Sequence, residues 1–277
     1  MRKLSLWCLA LLTWGVAAPT MAQESLLDVV LKRDKLIVAT YSTSPPLAYV
    51  DDSGNLVGFE IDMAREIAKD LLGDPSKVEF VVVQSEGRFP AVLSGKVDFG
   101  LCSTTIYPDR AVRIAFTRPY LDSGGSVIAR RDAGIKTVQE LNDPKFTYAI
   151  LNAPPAIAGT KQIWPNAKSL VFDSPSALFL AVKAGRATAF VTDKPIADFY
   201  EGENQDLMRL DPTGTPLAYV EQDSIFMKPA DFKWWLFLDT WVGELRYGSR
   251  YAKYVEWYRK WLKKDPPPQR FYDSNKY

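Results

Sequence analysis

Ser103, Thr104 and Thr105 leave the apolar segment Asp98-Phe99-Gly100-Leu101-Cys102 and lead through the turn Ile106-Tyr107-Pro108-Asp109 to Arg110. Hydroxyls and free backbone N–H groups at a strand end, followed by a guanidinium, are the chemistry of carboxylate binding, because the planar fork of an arginine matches two carboxylate oxygens. The same stretch also reads as a surface loop in which Arg110 pairs with Asp109, an arrangement of little energetic weight. A group of opposite sign stands at another strand exit, where Ala187 to Thr192 presents Asp193.

Composition removes several other chemistries. The chain has no histidine, which takes away the commonest general base and metal ligand together. Of its two cysteines, Cys8 falls in an N-terminal leader and only Cys102 remains, so a zinc site, a Cys-His nucleophile and an intrachain disulfide are not expected, nor is any cofactor. Arg2 and Lys3 precede an apolar run from Leu4 to Val16, and Thr20-Met21-Ala22 offers small residues for cleavage, so residues 1–22 read as a signal peptide. Losing Arg2 and Lys3 leaves 32 basic residues against 33 acids, a balance that gives no argument for nucleic acid or an anionic surface. No later apolar run is long enough to span a membrane.

The elements that must position these residues alternate between short β-branched runs and helical periodicity, the pattern of an α/β fold. Leu36 to Tyr41 reads as the first strand, with the polar loop Ser42-Thr43-Ser44-Pro45-Pro46 at its carboxyl end. Ile61, Ala64, Ile67, Ala68 and Leu71 line one face of a helix. Val78 to Val83 and Val97 to Leu101 are strands separated by a short helix over Phe89 to Leu93. Tyr41, Ser85 and Ser103 thus gather at strand exits, where open α/β sheets bind ligands; for Ser85, capping the following helix is an equal reading.

After the flexible break Asp122 to Ser126 and the extended run Val127 to Arg130, a second α/β unit begins. Its elements are a helix opened by the capping box Thr137 to Glu140, strands over Phe146 to Leu151, Ser169 to Phe172 and Ala187 to Thr192, and helices over Ile157 to Ile163 and Ala177 to Ala184. Asp223 to Met227 is a further strand. Trp234, Leu238, Trp241 and Leu245, then Tyr254, Trp257 or Tyr258, and Trp261, recur at helical spacing and are expected in the core. The prolines Pro266 to Pro268 make the tail extended.

With these segments in order, the chain resembles the periplasmic solute-binding proteins of polar amino acid ABC transporters. The resemblance rests on Gly58-Phe59-Glu60-Ile61-Asp62, Leu93-Ser94-Gly95-Lys96-Val97-Asp98, Ser103 to Arg110, Phe116-Thr117-Arg118-Pro119-Tyr120, and Lys183-Ala184-Gly185-Arg186 leading to Val191-Thr192-Asp193-Lys194-Pro195. It implies a two-lobe clamshell of type II, each lobe a mixed sheet flanked by helices. Lobe one would take residues 23–126 and 219–277, and lobe two residues 127–218. In such proteins the arginine matching Arg110 grips the α-carboxylate, with Ser103 and Thr105 assisting, and the acid matching Asp193 takes the α-ammonium. Ser85-Glu86-Gly87-Arg88-Phe89-Pro90 and Cys102 to Thr105 look most like the glutamate/aspartate branch, where Ser85 and Arg88 would hold the side chain; Arg88 could instead cap a helix or pair with Glu86.

Three positions depart from the family pattern. Tyr41 stands where the acidic-ligand branch has a further arginine, and Ser44 and Ser85 stand where other branches place aromatic residues. The lobe-two Gly-Thr pair that donates to the carboxylate is replaced in Asn152-Ala153-Pro154-Pro155, and proline carries no N–H. Tyr41, Ser44, Ser85, Arg88 and Asn152 are therefore the positions expected to set side-chain specificity. The resemblance implies a monomeric periplasmic protein, not an enzyme, that captures a polar or acidic amino acid for an inner-membrane ABC permease. A cyclohexadienyl dehydratase-like enzyme on the same scaffold is the alternative, although Ala153 to Ala156 offers no carboxylate. A sensory or accessory binding protein is a third reading.

Overall fold

A computed structural model describes residues 24–211 and 221–267. The expected signal peptide and the tail from Pro268 onward lie outside the described residues. The chain opens with helix α1 (Leu26–Arg33), strand β1 (Leu36–Thr40), the short strands β2 (Thr43–Ser44), β3 (Ala48–Val50) and β4 (Leu56–Val57), and helix α2 (Phe59–Leu72). Next come β5 (Val78–Val82), α3 (Arg88–Leu93), β6 (Phe99–Leu101), the single turn α4 (Pro108–Ala111), β7 (Ala115–Phe116) and β8 (Leu121–Asp122). The middle of the chain forms β9 (Gly125–Arg130), β10 (Thr147–Leu151), α5 (Pro154–Ile163), β11 (Lys168–Phe172), α6 (Pro175–Lys183), β12 (Ala189–Asp193), α7 (Lys194–Glu203) and β13 (Leu207–Arg209). The return segment supplies β14 (Gln222–Asp223), β15 (Phe226–Met227), α8 (Phe232–Tyr247) and α9 (Tyr251–Trp257).

Two five-stranded mixed sheets result. The first has the order β5-β1-β6-β15-β7, with β1 parallel to β5 and β6, and β15 antiparallel to β6 and β7. The second has the order β11-β10-β12-β9-β13, with β10 parallel to β11 and β12, and β9 antiparallel to β12 and β13. β8 and β14 pair antiparallel as the chain passes from one sheet to the other and back. The first and last described segments thus build the first sheet and the middle of the chain the second. Gly125 and Ser126, expected in lobe one, pair with Asp193 and Thr192 in the lobe-two sheet.

Burial explains the strand order. β6 is buried along its whole length, as a strand packed between parallel and antiparallel neighbours with both faces covered must be. Helix α2 buries Ile61, Ala64, Ile67 and Ala68, the face its periodicity marks. Phe59 at its start meets Tyr254, Trp257 and Tyr258 edge-on, with ring centroids 5.9–6.2 Å apart, which fastens the return helices to lobe one. Trp234, Leu238, Trp241 and Leu245 are buried as their spacing predicts, whereas Trp261 is half-buried and donates its indole N–H to Asp62 at 2.8 Å.

The segment from Thr137 to Glu140 departs from expectation: only a 3-10 turn forms, over Gln139–Leu141. The Glu140 carboxylate accepts from the Lys136 amide at 2.9 Å instead of closing a box on Thr137, and Pro144 follows too soon for a helix to propagate.

Gly100 shows how closely the first sheet is packed beneath the site. A Cβ there would fall 2.0 Å from the ring of Phe226, a fully buried side chain on the neighbouring strand. Gly100→Ala is expected to destabilise the protein by about 1–3 kcal/mol, the usual cost of overpacking a closed core, read as a lower denaturation midpoint with unchanged m-value.

Candidate functional site

The carboxyl ends of β1 and β6 deliver the lobe-one half of a cleft between the lobes. Tyr41, Ser44, Arg88, Ser103, Thr105, Arg110 and Asp193 line it. Of the nine expected site residues, these seven come together.

Glu60, at the start of α2 and fully buried, sets the shape of the loop after β6. Its Oε1 accepts the Ser103 N–H at 2.7 Å and the hydroxyl of Tyr120. Ser103 is thereby held at φ 42°, a left-handed conformation that a serine adopts only under constraint. The return segment pairs along the same loop: Ile106 N–H donates to Gln222 O at 3.0 Å and Ser224 N–H to Thr104 O at 3.1 Å. Pro108 then starts α4, which places Arg110 back over the loop, where one Nη1 donates to Thr105 O at 2.8 Å.

Two guanidiniums face this cleft, and both are almost fully buried. Arg110 stacks on Tyr107 with 4.7 Å to the ring centroid and lies 5.8 Å from that of Phe89. Arg88 lies 4.9 Å from the Phe89 centroid and donates Nη1 to Tyr41 OH and to Ser85 Oγ at 2.9 Å. Ring faces offset part of the desolvation of each cation. Among the described residues neither arginine forms an ion pair, and burial, then the neighbouring Arg88 charge, pull the Arg110 pKa down. Ser44 Oγ and Arg88 Nε are buried without a hydrogen-bond partner.

Opposite them stands Asp193, at the end of β12 and the N-cap of α7, with no side-chain hydrogen bond to that helix. Glu221, from the return crossover, lines the same cleft and accepts from the Tyr107 hydroxyl. Burial first, then repulsion from Glu221 and Glu60, raise the Asp193 pKa to about 7 against the attraction of Arg88 and Arg110. Asp223, fully buried on β14, is pushed well above the usual carboxylate range by burial and by Asp193 and Glu60.

Ser85 and Asn152 lie elsewhere. They meet at the seam where the lobes touch: Ser85 Oγ donates to Asn152 O at 2.8 Å, and Asn152 Nδ2 donates to Glu86 and, at 3.0 Å, to Asp173. Residues that the sequence did not single out for the site are Glu60, Tyr107 and Glu221, together with an apolar wall contributed by lobe two. Glu60 and Tyr107 stand inside motifs already conspicuous in the sequence, whereas Glu221 carries no local signal.

Residues 36–264 match the model of the bacterial extracellular solute-binding proteins, family 3. The chain belongs to this family. It is 29% identical over 214 residues to the glutamine-binding protein of an ABC transporter from Bacillus subtilis, covering 77% of this chain and 76% of that one. It is 27% identical over 245 residues to the cyclohexadienyl dehydratase of Pseudomonas aeruginosa, covering 86% of each chain. The crystal structure of a cysteine-binding protein from Campylobacter jejuni superposes with a TM-score of 0.77 at 27% identity, covering 87% of this chain and 94% of that one. The two lobes are therefore those of a type II periplasmic-binding-protein clamshell, and at family level the chain is a solute-binding protein of the amino acid ABC transporter class. Among the described residues no helix is long and apolar enough to cross a membrane.

An acid whose folded pKa lies above its unfolded value contributes stability that is complete below about pH 4 and is lost as the pH rises through about 7. Asp193→Asn is therefore expected to raise the melting temperature of the ligand-free binding protein at pH 8 and to give no such gain at pH 4, a comparison that calorimetry at the two pH values makes directly. For a solute held through an ammonium group the wild-type affinity should weaken as the pH falls below 7, because Asp193 must first lose its proton.

Proposed function

We propose that this binding protein is exported to the periplasm and captures a small carboxylate-bearing amino acid for an inner-membrane ABC permease. The observation that carries the reading is the pair of buried guanidiniums, Arg88 and Arg110, which form no ion pair among the described residues and stand in a cleft whose far wall presents Asp193. Arg110, with Ser103 and Thr105, takes the α-carboxylate, and Asp193 takes the α-ammonium. Arg88, backed by Tyr41, takes a second acidic or polar group on the side chain, which makes an acidic amino acid the simplest solute. A ligand gripped by cations of one lobe and an acid of the other stabilises the closed form only, which is the state a permease must distinguish.

Calorimetric titration of refolded, ligand-free protein against amino acids and organic acids tests this directly. A solute present at a hundred times its dissociation constant should add roughly 2.7 kcal/mol of stability, visible as a thermal shift. Arg110→Ala should abolish the shift for every ligand, whereas Arg88→Ala should selectively weaken those with a second acidic group. No binding to any of them at millimolar concentration would sink the reading.

One observation favours a second reading on the same scaffold. Asp193 holds its proton to about pH 7 beside Glu221, which suits a general acid that assists departure of a hydroxyl group. Turnover of prephenate or arogenate by the purified protein, lost in Asp193→Asn, would establish it.

A further inference from the structure

The cleft is lopsided in its chemistry. Its lobe-one side carries the two arginines and the hydroxyls of Tyr41, Ser44, Ser103 and Thr105, whereas on its lobe-two side Ile150, Ala153, Ala156, Leu178, Val191 and Ile196 form an apolar wall beside the polar Thr192 and Asp193. Five of these six apolar residues are buried, and they come from five elements or their edges, β10, α5, α6, β12 and α7, so the wall is a packed surface rather than a mobile loop.

Two local features strip this wall of donors. Helix α5 begins at Pro154 with Pro155 next, so two of the four N–H groups that a helix start leaves free are absent. Asn152 N–H is already given to Phe172 O at 2.7 Å, and Ile157 N–H to Ala153 O at 3.0 Å. Thr160 lines the cleft too, but its hydroxyl bonds to Ala156 O at 3.0 Å, to Ile157 O at 3.1 Å and to Tyr148 at 3.2 Å. A polar solute group laid against the side chains of Ile150, Leu178, Val191 and Ile196 would lose water and gain no partner from them, a penalty that makes such a surface reject it.

We infer that lobe two forms an apolar subsite, so that the solute is a carboxylate whose body between its charged groups is hydrocarbon rather than amide, hydroxyl or ether. This rests on the binding-protein reading above, and it narrows the solute class. The charged groups sit on lobe one and on Asp193, and the carbon skeleton lies against Ile150, Leu178, Val191 and Ile196.

Titration of the ligand-free protein with shape-matched pairs tests the subsite. L-2-aminoadipate is set against O-carboxymethyl-L-serine, and L-2-aminopimelate against O-(2-carboxyethyl)-L-serine, in each of which an ether oxygen replaces one methylene. In each pair that binds, the hydrocarbon member should bind about tenfold or more tightly, the usual discrimination of an apolar pocket at this scale. Val191→Thr, which adds a hydroxyl at nearly constant shape, should shrink that ratio while a circular dichroism melt reports the fold intact. Equal or tighter binding of the polar members, or an unchanged ratio in Val191→Thr, overturns the apolar subsite and leaves the amino acid reading standing. Absence of binding by both members of both pairs, together with silence across the wider amino acid panel, overturns the binding reading itself and this inference with it.

Discussion

Two buried positive charges that form no ion pair among the described residues dominate the energetics of this molecule. Each guanidinium in the cleft has surrendered most of its water, and what it receives within the chain is a hydroxyl or carbonyl and the face of an aromatic ring. Such an arrangement is weak grounds for stability and strong grounds for recognition, since the missing counter-charge is worth most where solvent is least. The packing beneath the site serves to keep the cost bearable. Phe89 lies under both arginines, Phe226 packs edge-on against Phe89, and Gly100 leaves the room that Phe226 fills.

The acids obey the complementary logic. Glu60 spends its charge inward, bonding the Ser103 amide and the Tyr120 hydroxyl, and so shapes the loop without reaching the solute. Asp193 and Glu221 both face the cleft, and burial together with the Glu221 charge raises the cost of ionising Asp193, which settles that charge by holding a proton. Division of labour among chemically identical groups thus follows from what each can bond within the fold.

Much of this was legible in the sequence because it is local. The half proposed to hold a carboxylate occupies one loop, from Ser103 to Arg110, and its residue types carry that chemistry on their face. Asp193 follows from the same rule of strand exits, and the aromatic stripe from helical spacing. Ser85 and Asn152 obey the rule as well, yet sit on the seam, because which strand-exit residues face the cleft depends on how two lobes approach. Glu221 was invisible for a related reason: its place is fixed by the bridge between Thr105 and Asp223, a register set by tertiary pairing across the crossover. The apolar wall gathers residues from separate elements of lobe two, none of which differs in sequence from ordinary core.

The part of the seam formed by Glu86, Asn152 and Asp173 ties lobe to lobe through side chains that do not line the cleft. Its contribution to the closed form is the same whichever solute lies inside. Affinity gained by populating the closed form in advance is shared equally by every occupant. The seam therefore makes binding tighter without making it more selective, and discrimination is left entirely to the groups that line the cleft.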